Sequence, residues 1–228
     1  MKIQDDILNY REMCDAEKTQ LQRGMNFRLN PGYSVILMSQ RSNAPYKDRI
    51  HDDGITIEYE GHDVQKNHSD NYKTDDQPEK LPSGGLTQNG KFIKSINDYK
   101  KGGKPELVKV YEKIKNGIWS LKGYFDLIDY NVVHEEKRNV FKYILKLSEQ
   151  NEDSNNDNLN LEHRRLIPSE VKQLVWKRDQ GKCVICGSIT NLHFDHDLPF
   201  SKGGTSLSVN NVRLLCLKCN LTKSDKIE

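Results

Sequence analysis

The chain has 228 residues, 35% of them hydrophobic and 30% charged, and a mean hydropathy of −0.82. It carries no apolar run near the roughly 18 residues a membrane span needs, so an integral membrane protein is not expected. The first residues, MKIQDDILNYREM, lack the basic start and apolar stretch of a secretory signal, which points to the cytoplasm. The formal charge of +2 hides an asymmetry: from Arg164 onward 11 Lys and Arg face 6 Asp and Glu, against 24 and 27 before it. A basic C-terminal piece suggests a polyanionic partner, although an excess this small also fits a solvated surface.

In chain order, Asp5 to Gly24 spaces Ile7, Tyr10, Met13 and Leu21 like a helix that ends at Gly24. GYSVILMS (32–39), GITIEYEG (54–61), ELVKVYEKI (106–114), GYFDLIDYNVV (123–133) and RNVFKYILKL (138–147) set β-branched and aromatic residues between turn residues and read as strands. Between Asp63 and Gly90 runs a polar stretch longer than an ordinary connection, either mobile or used for binding. EQNEDSNNDNLN (149–160) has almost no apolar residues and cannot offset its own ordering entropy, so residues 149–162 read as a linker. Beyond it, Pro168 opens a helix with Glu170 in its first turn, a stripe of Val171, Leu174 and Val175, and Gly181 as its stop. Lys177 and Arg178 at its end are candidates for phosphate contact or for a solvated helix end. The result is an N-terminal helical segment (1–24), a strand-rich domain (25–148), the linker, and a small C-terminal domain (163–228).

Of five cysteines, four form two C-x-x-C pairs, Cys183/Cys186 and Cys216/Cys219, while Cys14 stands apart. Two such knuckles in a reducing compartment offer four thiolates suited to structural zinc, which would supply folding energy to a domain with little core. The 29 residues between the pairs exceed the usual spacing of about 15–20, so something further should be housed there. Running from within that segment through the second pair, LHFDHDLPFSKGGTSLSVNNVRLLCLKCN (192–220), with FDH, P, SKGG, NN, LLC and CN, resembles the HNH nucleases, the zinc-stapled form of the ββα-metal fold. The resemblance covers Arg164 to Lys226.

Phosphodiester cleavage needs a deprotonated water, an in-line approach and a cation beside the oxygens that gain charge. His196, with an imidazole pKa near neutrality, is the natural base, and Asp195 offers a hard oxygen ligand for magnesium or manganese. Adjacent residues of a regular strand face opposite ways, so the pair should sit where the strand frays or bends. The resemblance makes Asn220 a second metal ligand through its amide oxygen, in a position where the family often has His, and gives Asn211 the role of holding the loop and orienting His196. Lys223, one helical turn past Asn220, and Lys202 of SKGG are candidate phosphate contacts. His193 reads as a strand side chain and Asp197 as a solvated or strand-end carboxylate.

Upstream, APYKDRIHDDGITIEYEGHD, DQP, LTQNGKF and ELVKVYEKIKNGIWSLKGYFDLIDY resemble the SRA domain, roughly over Asn26 to Leu147. The resemblance implies a curved β-barrel-like fold that flips a modified cytosine into a pocket with aromatic faces and a carboxylate for the exocyclic amine. Tyr46 and Tyr59 match the pocket tyrosines. Asp48 is the first choice of carboxylate, with Asp52 or Asp53 close behind, and Glu60 stands where many relatives have Thr. The combined expectation is an α+β protein, an SRA-like curved sheet with flanking helices joined to a zinc-stapled ββα-metal domain. It would act as a modification-dependent endonuclease on double-stranded DNA carrying 5-methylcytosine or 5-hydroxymethylcytosine, with structural zinc and catalytic magnesium or manganese. Cutting both strands needs two active sites or two events, which makes a homodimer one expectation. Two alternatives stay open: an HNH endonuclease specific for an unmodified sequence or branched DNA, and a zinc-dependent DNA-binding module that does not cleave.

Overall fold

In the computed structural model, which describes residues 7–30, 32–65, 69–149, 167–198 and 204–223, the strand-like segments of the N-terminal domain pair into one sheet. The strands are β1 (Ile7–Asn9), β2 (Met25–Asn30), β3 (Tyr33–Met38), β4 (Arg49–Ile50), β5 (Thr56–Glu60), β6 (Glu106–Lys115), β7 (Ile118–Glu135) and β8 (Arg138–Leu147). Their order is β2-β3-β6-β7-β8-β5-β4, with β1 added to β7. All pairings are antiparallel except β3 with β6. β7 is 18 residues long, and its register shifts between Leu121 and Gly123, opposite Tyr111 and Val110 of β6, and again between Leu127 and Asp129. Such irregularities raise the local twist, which lets one strand serve β6 along its first half and β8 along its second.

One sheet face is covered by α2 (Gln88–Lys100), whose Phe92, Ile93 and Ile96 pack on Met25, Ile36, Val108, Phe125 and Tyr143. The Thr87 side chain caps this helix by accepting from Gly90 N–H, and a Cβ at Gly90 would stand 2.2 Å from the Glu79 carbonyl oxygen. The helix therefore takes up the end of the polar 63–90 stretch. Much of the remainder is bonded along β8: Asp76 accepts from Asn139 N–H (2.6 Å), and Gln77 bonds the Gly61 carbonyl (2.7 Å) and Phe141 N–H (2.9 Å).

The expected helix over 5–24 is shorter than its spacing suggests. Ile7–Asn9 is a strand on β7, and α1 covers only Tyr10–Glu17. Asn9 and Glu12 form a capping box that starts it, and Lys18 ends it in the left-handed region, φ 53. Met13 and Leu21 still reach the core, packing on Val35, Tyr111 and Trp119.

The C-terminal module contains α3 (Ser169–Arg178), a hairpin-like pair β9 (Leu192–His196) and β10 (Val212–Cys216), and α4 (Leu217–Lys223). The buried stripe of α3 runs through Val171, Lys172 and Val175; Leu174, expected in that stripe, is 46% exposed. Most of the expected 149–162 linker lies outside the described residues. Among the described residues no helix is long and apolar enough to cross a membrane.

Candidate active site

The two cysteine knuckles are brought together by the β9/β10 pair. Gly181 turns the chain at φ +65, where a Cβ would meet the Trp176 ring at 2.6 Å. The first knuckle is then tied to β10 by Val184 N–H donating to the Leu214 carbonyl (3.0 Å). The ligand atoms of Cys183, Cys186, Cys216 and Cys219 all lie within 4.8 Å of one another, and Cys186 Sγ is 3.6 Å from Cys216 Sγ. Thiolates placed tetrahedrally about zinc at about 2.3 Å stand about 3.8 Å apart, so the donor set fits that ion. Burial raises Cys183, but N–H groups around it outweigh this and bring it to about 6. The Cys186 thiol, followed by burial, drives Cys219 up to about 12. Four thiolates so close together need a cation between them.

β9 stays paired with β10 through Asp195↔Arg213 and His196↔Val212, and the strand ends at His196, so the two catalytic candidates occupy its last two positions. His196 Nε2 lies 2.9 Å from Ser206 Oγ, and Ser206 is buried at 3% exposure. Asn211 clamps the loop that follows: its Oδ1 accepts from Leu198 N–H (2.7 Å), and its Nδ2 donates to the carbonyls of Leu198 (3.1 Å) and Thr205 (3.0 Å). Asn211's own carbonyl accepts from Asp197 N–H at 2.8 Å. A Cβ at Gly204 would stand 1.8 Å from the Leu198 oxygen, so only glycine lets these strands of loop meet.

Lys223, a candidate phosphate contact, is engaged within the module. Its Nζ is 2.7 Å from Asp195 Oδ2 and 2.5 Å from the His196 carbonyl, and its side chain is 4% exposed. Lys223 is the last residue of α4 and faces β9. Asn220 sits partly buried on the same helix, and Lys202 lies outside the described residues. Arg178 is likewise occupied, holding Asp179 and the carbonyls of Val209 (2.6 Å) and Val212 (2.7 Å). Asp197 is paired with Arg213 at 3.1 Å, and His193 is buried in its strand. Ser206 was not singled out by the sequence, because a serine in a serine- and glycine-rich loop gives no signal of its own.

In the N-terminal domain, Asp48 is the buried carboxylate, accepting from Ser39 N–H (2.9 Å) and Glu60 N–H (3.0 Å). Burial raises it to about 7, and together with Tyr46 it raises Tyr59, whose own burial is the largest cause. Asp53 instead caps a turn through Ile55 and Thr56 N–H, and Asp52 is exposed. The Tyr46 ring stacks on His62 with centroids 6.3 Å apart, with Lys73 Nζ 4.6 Å from its centroid; burial raises Tyr46 to about 12 and lowers His62 to about 4. Tyr59 is only 2% exposed and packs in the core, so one of the two expected stacking faces is closed in this conformation. Glu60, where relatives carry Thr, is a buried hub that accepts from Lys47 N–H and Lys142 Nζ (both 2.9 Å) and meets Arg138 at 3.3 Å.

Residues 183–226 match the family model described as HNH endonuclease. No curated protein matches the chain. Among solved structures, the SUVH5 SRA complex with hemimethylated CG DNA is similar, with 19% identity and TM-score 0.44, over 70% of this chain and 94% of that one. The modification-dependent TagI restriction endonuclease is similar over 98% of this chain and 78% of its own, with 15% identity and TM-score 0.42. SUVH5 SRA bound to fully hydroxymethylated CG DNA shows 18% identity and TM-score 0.42, over 69% and 93%.

Proposed function

Residues 183–226 being an HNH endonuclease domain, we propose that the chain is a modification-dependent DNA endonuclease, its sheet domain reading a modified cytosine and its C-terminal module hydrolysing a nearby phosphodiester bond. The observation that carries the nuclease half is the fixed placement of His196 at the end of β9, its ring held by Ser206 and its following loop clamped by Asn211. A base whose ring is already oriented spends no binding energy on being positioned. His196 takes the proton of the attacking water, while Asn211 ties Leu198 to Thr205 beside it.

Asp195 and Asn220 would hold the divalent cation, magnesium or manganese, which when bound stabilises charge on the phosphate oxygens. Lys223 Nζ lies 2.7 Å from Asp195 Oδ2, so the cation would displace this ammonium or bind the other carboxylate oxygen. The four cysteines would hold zinc and so fix the β9/β10 pair that carries His196.

The base-reading half rests on the resemblance and on Tyr46 and Asp48 both lying close enough to Tyr59 to act on its hydroxyl, Asp48 being bonded to the neighbouring Glu60 N–H. Tyr46 would stack on the flipped base and Asp48 would meet its exocyclic amine, with Tyr59 turning out of the core to supply the second face. The test is a binding experiment with His196→Ala, which should bind duplex carrying 5-methylcytosine or 5-hydroxymethylcytosine more tightly than the unmodified duplex, a preference lost on adding Tyr46→Ala. Equal binding of all three duplexes by His196→Ala would overturn the base-reading half and favour a nuclease of other specificity.

A further inference from the structure

The expected linker suggests two domains joined loosely, yet the structure holds a buried polar network between them. Glu112 of β6 and Lys122 of β7 are fully buried and paired, Lys122 Nζ lying 2.7 Å from Glu112 Oε2. Lys122 also donates to the Ile167 carbonyl at 3.1 Å, just before α3. The Ser169 hydroxyl, at the start of α3, lies against both the Glu112 carboxylate and the Gln40 amide oxygen. Lys172, also fully buried, donates to Ser120 Oγ of β7 at 2.9 Å. The same Nζ stands 5.3 Å from the ring centroid of Phe194, two residues before His196 on β9. Around this network Ile7 and Ile114 of the sheet domain share one apolar cluster with Val171, Val175, Phe194 and Val212 of the nuclease module.

Apolar contact alone would let two surfaces slide. Charged groups taken out of water are costly unless each meets its partners. Glu112 and Lys122 pair within the sheet, but the Lys122 bond to Ile167, the Ser169 contacts with Glu112 and Gln40, and the Lys172 bond to Ser120 form only in one relative placement of the two regions. The network therefore selects an orientation more than it adds affinity. It ends on β9, the strand whose last two residues are Asp195 and His196.

We propose that Glu112, Lys122, Ser169 and Lys172 are positioning residues for cleavage: they hold the nuclease module at one orientation on the sheet, so the cut falls at one fixed distance from the base that is read. The cut-distance part of this inference rests on the proposed function; the docking part does not.

The test uses the full, zinc-loaded chain with Lys172→Met and with the pair Glu112→Gln/Lys122→Met. On duplex DNA with a single modified cytosine, ends are mapped at single-nucleotide resolution. The wild type should give one dominant position per strand, and the variants a distribution at least about twofold wider, because a released module ranges over what its linker allows. A broad wild-type distribution, or variants as narrow as wild type, would overturn the proposal. Small-angle scattering of the free proteins reads docking without any cleavage. A compact wild type with expanded variants supports the proposal, and identical profiles overturn it even if the wild type cuts unmodified DNA equally well and the base-reading half has failed. Should a lysine variant lose its zinc, Ser169→Ala, which removes one hydroxyl, takes its place in both measurements.

Discussion

The sheet domain and the nuclease module solve the same problem, holding a reactive surface still, with different materials. The first surrounds β6, β7 and β8 with buried Val108, Val110, Phe125, Leu127, Tyr143 and α2. The second has, among the described residues, two short strands, two α-helices and four cysteines whose ligand atoms cluster within 4.8 Å. A module this small buries too little apolar surface to stand alone, so a metal staple takes the place of a larger core. Stability in the two regions should therefore answer to different perturbations.

The largest separation is expected from Cys216→Ser. Structural zinc in small modules contributes binding free energy on the order of 10 kcal/mol, so this variant should lose its metal and unfold the C-terminal module while the sheet domain keeps its melting transition. Metal content and calorimetry together check this. The converse variant, Tyr143→Ala, removes a fully buried ring and should cost the sheet domain about 3–5 kcal/mol, with zinc retained. A single shared transition lost in both variants would show that the regions do not divide as described.

Smaller effects follow within each region. Asn211→Ala leaves Leu198 N–H and two carbonyls without their partner, a penalty of about 1–3 kcal/mol. If it falls on the placement of His196, cleavage should slow by roughly 10- to 100-fold with the zinc content of wild type. In the sheet domain, burial raises the Asp48 carboxyl to about 7, above its unfolded value near 3.9. The folded state then holds that proton between the two values, so this group's contribution is favourable at the acid end and is lost as pH rises through that window. Wild type should lose on the order of 2 kcal/mol relative to Asp48→Asn between pH 5 and 8, read from denaturant unfolding at each pH; parallel curves would contradict the assignment.

The nuclease site was legible because its chemistry is tied to spacing. Two C-x-x-C pairs and an Asp-His pair between them survive any detail of packing, and Asn211 lies where the loop needs it. Strands 106–115 and 138–147 were legible from β-branched and aromatic runs. Helix α2 was not, because Phe92, Ile93 and Ile96 sit within a polar stretch with weak periodicity and its cap is a single Thr87 hydroxyl. The burial of Lys122, Lys172 and Lys223 carries no sequence signal, since a lysine is almost never fully buried unless paired, and their partners Glu112, Ser120 and Asp195 lie 10, 52 and 28 residues away. Tyr59 matched a pocket position in sequence, but its place in the core depends on α2 and β8 packing behind it.

The central claim is that one chain joins modified-base reading to HNH cleavage. It is tested most directly by cleavage of otherwise identical duplexes carrying cytosine, 5-methylcytosine or 5-hydroxymethylcytosine, with magnesium and with manganese, and with His196→Ala alongside. Cutting confined to modified DNA and abolished in His196→Ala is the expected result. Equal cutting of all three duplexes, or undiminished cutting by His196→Ala, would contradict it.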